Sequence, residues 1–292
     1  MKKTYFQGWY YKSQNSSQTV AVIQAKHIDA DGKHSASVQL ITDHSAWCVW
    51  YPISEFSNNK NAVRIGENRF DEHGITIDIK NDSVAAFGKL SFGPLCRLRY
   101  DIMGPFRYIP FMECRHSVFS MAHTVEGHLV INGSEYAFDP GMGYIEGDRG
   151  CSFPSVYAWT QCLFGDESKK PCSLMLSVAD IPFAFSRFTG IIGVILFHGK
   201  QIRLATYLGA RAIKIDGGEI IIKQGCYRLT ARLIKRLGKP LYAPIAGSMT
   251  RVIHEDPSCM VYYQFQKNNS TLFEFVSDRA AFEYEYENKQ LL

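Results

Sequence analysis

Two acids, a histidine and a set of aromatic side chains carry most of the chemistry this 292-residue chain could perform. The densest stretch is Asp139-Pro140-Gly141-Met142-Gly143-Tyr144-Ile145-Glu146-Gly147-Asp148-Arg149-Gly150, followed by Phe153-Pro154 and Trp159-Thr160-Gln161. Glycines this close together break regular structure and let the backbone turn sharply, so the segment reads as a charged turn. Val156–Phe164 reads as a strand, which puts the turn at a strand mouth, on the lip of an apolar cavity. A carboxyl in such a place can keep its proton near neutral pH, because burial penalises the charged form. Glu146 and Asp148 are therefore the candidate acids, and nothing in the sequence separates them. The plainer alternative is turn chemistry at Gly147-Asp148, with Glu146 paired to Arg149. His116, between Arg115 and Ser117 and near Glu113, is the candidate proton acceptor; a hydrogen-bonded structural histidine is the alternative.

Trp9, Tyr10, Tyr144 and Trp159 are the candidate lining of the cavity, where Trp and Tyr faces could stabilise a cation. Aromatics on barrel strands are more often plain core. Gln161 both donates and accepts, which suits an oxygen on a bound molecule or the capping of a strand. Arg115 and Arg149 complete the candidate binding set. Other chemistries fall away. His27, His34, His44 and His73 lack metal-type spacing, and seven residues of strand put His116 and His123 on opposite faces. Gly141-Met142-Gly143 precedes no helical pattern, so it is not a dinucleotide fingerprint, and no Gly-x-Ser-x-Gly elbow occurs. No metal or organic cofactor is expected.

The elements that must position these residues are strands. Thr19–Lys26, Ser35–Ile41, Trp47–Tyr51, Ile75–Lys80, Val84–Phe92, Thr124–Ile131, Ser173–Ala179, Ile191–Phe197, Gln201–Tyr207, Glu219–Lys223, Tyr227–Leu233 and Met260–Phe265 are rich in β-branched and aromatic residues. Turn pairs such as Asp31-Gly32, Asn132-Gly133, Asp216-Gly217 and Asn268-Asn269 close many of them. Helical periodicity is hard to find, and the class is all-β. The halves also resemble each other. Gly8-Trp9-Tyr10-Tyr11 and Ala158-Trp159-Thr160-Gln161 each lead into strand, charged turn (Ala30–Lys33 and Asp166–Lys170) and strand. Gly104–Phe111 and Lys239–Ile245 each precede a hairpin. These matches occur in the same order, which indicates an internal duplication and two β domains, 1–145 and 146–292.

A net charge of +4 and one short basic run, Arg232-Leu233-Ile234-Lys235-Arg236, make a poor case for nucleic acid. That run reads as a solvated strand end or a transient contact with a membrane surface. The first residues lack the apolar core of a signal peptide, and no apolar run reaches the roughly 18–20 residues of a membrane span. The eight cysteines contain no CxxC pair, so the expectation is reduced thiols in the cytoplasm.

Tyr5-Phe6-Gln7-Gly8-Trp9-Tyr10-Tyr11-Lys12 resembles the opening motif of the tocopherol cyclase family. Gly143–Gly150, with Phe153-Pro154 and Trp159-Thr160-Gln161, resembles its central signature, and Pro110–His116 a block frequent in bacterial members. The resemblance implies two tandem lipocalin-like antiparallel barrels. It also implies an activity without metal or cofactor, the closing of a chromanol ring by adding a phenolic hydroxyl across the first double bond of a prenyl tail. Such a reaction needs an acid, an aromatic face beside the tertiary cation, an acceptor for the phenol proton and little water. The partner is then a hydrophobic small molecule, a prenylated phenol or quinol or another isoprenoid. Two positions depart from the family pattern: Arg149 stands where Trp is usual, and Cys162-Leu163-Phe164 follows Gln161 where Asn is usual. The alternative is a two-barrel carrier of a hydrophobic isoprenoid or lipid ligand, with the polar mouth orienting its head group.

Overall fold

Runs rich in β-branched and aromatic residues produce strands with little else between them, and the computed structural model is all-β, with three short 3-10 turns among the described residues. It describes residues 4–59, 62–110, 112–165, 170–183, 186–236, 241–245, 248–253 and 258–286, with the backbone alone at 183, 186, 241–245 and 248–253. The charged turn expected around 166–169 and the run at 237–240 lie outside the described residues.

The chain forms two units: Met1–Arg99 with Phe111–Phe153 and Leu241–Val252, and Tyr100–Pro110 with Pro154–Pro240 and Ile253–Leu292. The strands of the first are β1 (Tyr5–Gln14), β2 (Thr19–Ile28), β3 (His34–Thr42), β4 (Ala46–Pro52), β5 (Phe56–Asn58), β6 (Val63–Ile65), β7 (Asn68–Asp71), β8 (Gly74–Lys80), β9 (Ala85–Phe92), β10 (Cys114–Ile131) and β11 (Ser134–Gly150). They pair in the order β4-β3-β2-β1-β11-β10-β9-β8-β7-β6-β5. The second unit holds β12 (Tyr157–Gly165), β13 (Pro171–Phe183), β14 (Ser186–Phe197), β15 (Lys200–Ala205), β16 (Arg211–Asp216), β17 (Glu219–Gln224) and β18 (Tyr227–Lys235). After β19 (Leu241–Ile245) and β20 (Ser248–Ile253), which pair with each other, come β21 (Cys259–Lys267) and β22 (Ser270–Tyr284). The second sheet runs β15-β14-β13-β12-β22-β21-β18-β17-β16.

The two orders correspond. In each unit the first strand pairs antiparallel with the last, β1 with β11 and β12 with β22, so a meander curls back on itself into a barrel-like sheet. This is the lipocalin-like, duplicated architecture expected from the sequence. Each sheet closes around its own apolar cluster. Tyr11, Val22, Leu40, Phe70, Ile77, Leu90, Val125 and Ile145 belong to the first; Ala158, Leu176, Ile195, Ile222, Leu229, Tyr263 and Phe282 to the second. At about 25 cal/mol per Å² these interiors supply the main favourable term.

The paired tryptophans, however, do not occupy equivalent places. Trp9 packs against the first core, stacked on Phe119 at 4.2 Å between centroids. On β12 it is Ala158 and Cys162 that face the second core, so alternation turns Trp159 and Gln161 to the opposite face. A one-residue offset in the repeat reverses every side chain on a strand.

Candidate functional site

The segment from Ser134 to Gly150 is one continuous strand and not a turn, which corrects the reading from its glycines. The glycines are there for close approach. A Cβ at Gly143 would fall on the His123 ring, and one at Gly147 would meet the Gly8 carbonyl and the Trp9 and Phe119 rings. Because β11 is extended, Tyr144, Glu146 and Asp148 project from one face, and Ile145 projects into the core from the other. The register sets Tyr10 of β1 opposite Glu146, and His116 of β10 opposite Asp148. Both faces are buried here: Ile145 is 1 % exposed, Tyr144 0 % and Glu146 6 %.

The His116 ring lies between the two acids. Its Nδ1 donates to Asp148 Oδ1 at 3.0 Å, and its Nε2 lies 3.3 Å from Glu146 Oε2. The latter is an ion-pair approach not aligned as a hydrogen bond, which leaves Nε2 without a hydrogen-bond partner. The Tyr144 hydroxyl donates to the same Glu146 oxygen at 2.7 Å, and the Cys114 thiol donates to Asp148 Oδ1 at 3.3 Å. Burial alone would lower the His116 pKa. The Asp148 and Glu146 charges outweigh burial and raise it well above the ordinary histidine value. The Tyr144 pKa is pushed up well above the ordinary phenol value, first by burial and then by the Glu146 charge, so this hydroxyl remains a donor. Burial and Asp148 do the same to the Cys114 thiol. The result is a buried imidazolium with two carboxylate partners, each held by a second donor.

His116, Glu146 and Asp148 can each offer a ligand atom within 4.8 Å of the others, so the cluster has donors enough for a divalent cation. As arranged, the two ring nitrogens address different carboxylates, which suits proton movement through the ring better than convergence on one ion.

Of the residues expected to act together, the structure gathers His116, Glu146, Asp148 and Tyr144, with Tyr10 cross-strand from Glu146. Trp9 lies on the core face. Arg115 and Arg149 are directly opposite each other across β10 and β11, on the face away from His116 and Asp148. The expected alternative, Glu146 paired with Arg149, therefore fails: three residues along a strand face opposite ways, and Glu146 pairs with His116. Trp159 and Gln161 belong to the second unit. Both are buried, and neither amide atom of Gln161 has a hydrogen-bond partner among the described residues. Cys114 was not anticipated. The i, i+2 spacing of Cys114 and His116, set against Tyr144, Glu146 and Asp148, is the signal that finds it.

The described structure therefore defines a duplicated, lipocalin-like β-barrel protein with a buried acid–imidazole cluster in its first unit. No family model matches the sequence, and no curated protein matches it. Solved structures share the fold. CghA is similar over 97 % of this chain and 88 % of its own, with TM-score 0.62 and 10 % identity, and has also been solved with Sch210972. Kievitone hydratase from Nectria haematococca covers 95 % of this chain and 88 % of its own, with TM-score 0.56 and 10 % identity. A putative AttH from Nitrosomonas europaea covers 97 % and 93 %, with TM-score 0.55 and 8 % identity. No helix among the described residues is long and apolar enough to cross a membrane.

Proposed function

We propose that this chain is an enzyme that moves a proton within a hydrophobic organic molecule, using His116, Glu146 and Asp148. The observation that carries this reading is the buried imidazole shared by two carboxylates, with Tyr144 bound to one of them. Passing the Nε2 proton across the 3.3 Å approach to Glu146 converts that pair into a neutral imidazole and a carboxyl. Glu146 is then the acid and His116 the base that reloads it. Asp148, on Nδ1, is the positioning residue that holds the ring's orientation and tautomer.

A site that lends one proton and recovers it performs an isomerisation with no redox partner. The reaction that fits, in line with the resemblance to tocopherol cyclases, is ring closure of a prenylated phenol or quinol. Protonation of the alkene by Glu146 gives a tertiary cation, the phenol oxygen bonds to it, and the phenol proton returns to the cluster. From the sequence duplication, the domain division we propose is 1–145 and 146–292. Among proteins of this fold, one is named a hydratase of kievitone and another has been solved with Sch210972, which supports small organic molecules as ligands.

Incubating the protein with a prenylated hydroquinone and following it by mass spectrometry tests the proposal. An isomer of equal mass with one fewer exchangeable proton is expected. Binding with the ligand returned unchanged would instead mean a carrier.

A further inference from the structure

A second charged group in the molecule is buried with no counter-charge among the described residues. Arg203 lies on β15, the edge strand of the second sheet, and is 8 % exposed. Its strand partner on β14 is Val194, and next in that row across the sheet is Met175 of β13; both are 0 % exposed and stand outside the core cluster. The guanidinium therefore sits on the non-core face beside apolar side chains. Among the described residues no carboxylate pairs with it. Asp101, next to Tyr100 in the chain, is engaged by Arg107 at 3.6 Å. Removing an arginine from water without a counter-charge is strongly unfavourable.

What does hold Arg203 fixes its plane and leaves one end unused. Its Cζ lies 4.3 Å from the centroid of the Tyr100 ring, and Nη2 donates to the Tyr100 carbonyl at 2.9 Å. Nη1 is buried with no hydrogen-bond partner among the described residues. The backbone beneath is clamped by Gln224, whose Nε2 donates to the Arg203 carbonyl and whose Oε1 accepts from Ala205 N, each at 2.9 Å. Tyr100 itself is 49 % exposed, so the stack lies at the rim of the unit and not in its depth. A pre-oriented guanidinium with a free N–H edge matches an oxyanion, and the half-exposed Tyr100 ring stacked on it offers apolar surface to a hydrocarbon body.

We propose that Arg203 anchors the carboxylate of an otherwise apolar molecule at the β15 edge of the second unit. This site is independent of the proton-transfer reading and stands or falls separately from it. Calorimetric titration of the full chain with dodecanoate, dodecanol and inorganic phosphate tests it. Dodecanoate should bind at least about tenfold tighter than dodecanol, the difference a charge-assisted hydrogen bond makes. Arg203→Met should remove that advantage and leave dodecanol binding unchanged, while Arg203→Lys keeps part of it. Excess phosphate should not displace dodecanoate. Equal binding of acid and alcohol by the wild type, absence of dodecanoate binding, displacement by phosphate, or undiminished dodecanoate binding by Arg203→Met would each overturn the proposal. Should Arg203→Met fail to fold, the acid-against-alcohol comparison on the wild type and on Arg203→Lys decides.

Discussion

His116 is positioned by charge and not by space: its ring is held between Asp148 and Glu146, and their charges reverse the effect of burial on its pKa. A histidine whose folded pKa is raised stabilises the fold fully below its unfolded pKa of about 6.5, and loses that contribution as pH rises through the folded value. We expect the ring carbons of His116, followed by NMR, to titrate above 6.5, and Asp148→Asn to bring the midpoint down. A midpoint at or below 6.5 in the wild type would remove the imidazolium from the site. The sequence displayed these residues but hid their geometry. Four glycines between 141 and 150 suggested a turn, and a turn has no faces. Once β11 is extended, the alternation Tyr144, Glu146, Asp148 is plain, and Arg149 moves to the other side. The proton-donor candidates were legible by residue type, and their shared partner His116 by type alone. Its position opposite Asp148 depends on a strand register that no local pattern encodes.

At the scale of elements, β10 and β11 approach so closely that glycine is required. Gly143→Ala would press a methyl onto the His123 ring, and overpacking of this kind costs about 1–3 kcal/mol. At Gly133, in the β10–β11 turn, φ is +80° and a Cβ would meet nothing within 4 Å, so Gly133→Ala should cost only about 1 kcal/mol of backbone strain. Urea denaturation of both variants checks the ranking; equal losses would refute the close-packing account. His123 and His27 on these sheets are both held neutral by burial, with pKa values of about 4. For a base with a lowered folded pKa, protonation of the unfolded chain destabilises the fold as pH falls from about 6.5 to 4, by up to roughly 3 kcal/mol per group. Melting temperature should accordingly fall over that window, and less steeply in His123→Gln. Ten strands, β2, β3, β4, β8, β9, β12, β15, β17, β18 and β21, were legible from the sequence to within two residues at both ends, whereas β13 runs four residues past its expected end and β14 begins five residues early. Of β10 only the Thr124–Ile131 end was legible, and β11 was not, because they are 18 and 17 residues long, carry glycines and charges, and gain their order from neighbours on both sides.

For the whole molecule, duplication was the most legible property, since turn chemistry and strand spacing repeat in order. The equivalence of Trp9 and Trp159 was misjudged because matching residue types does not fix the face they occupy. All eight cysteines are thiols, and their surroundings differ widely. Cys226 is exposed, Cys162, Cys172 and Cys259 are buried, and burial pushes the Cys48 thiol up to about 12. A thiol reagent at pH 8 should therefore label Cys226 first and the buried three only after unfolding; early labelling of Cys162 or Cys259 would contradict the packed second core. The claim on which the functional account rests is nevertheless local to Glu146. The most direct test is turnover of a prenylated hydroquinone in D2O by the wild type and by Glu146→Gln. We expect wild-type product carrying one carbon-bound deuterium, and a loss of about a hundredfold or more in the variant with ligand binding retained. Undiminished turnover by Glu146→Gln, or product without deuterium, would contradict it.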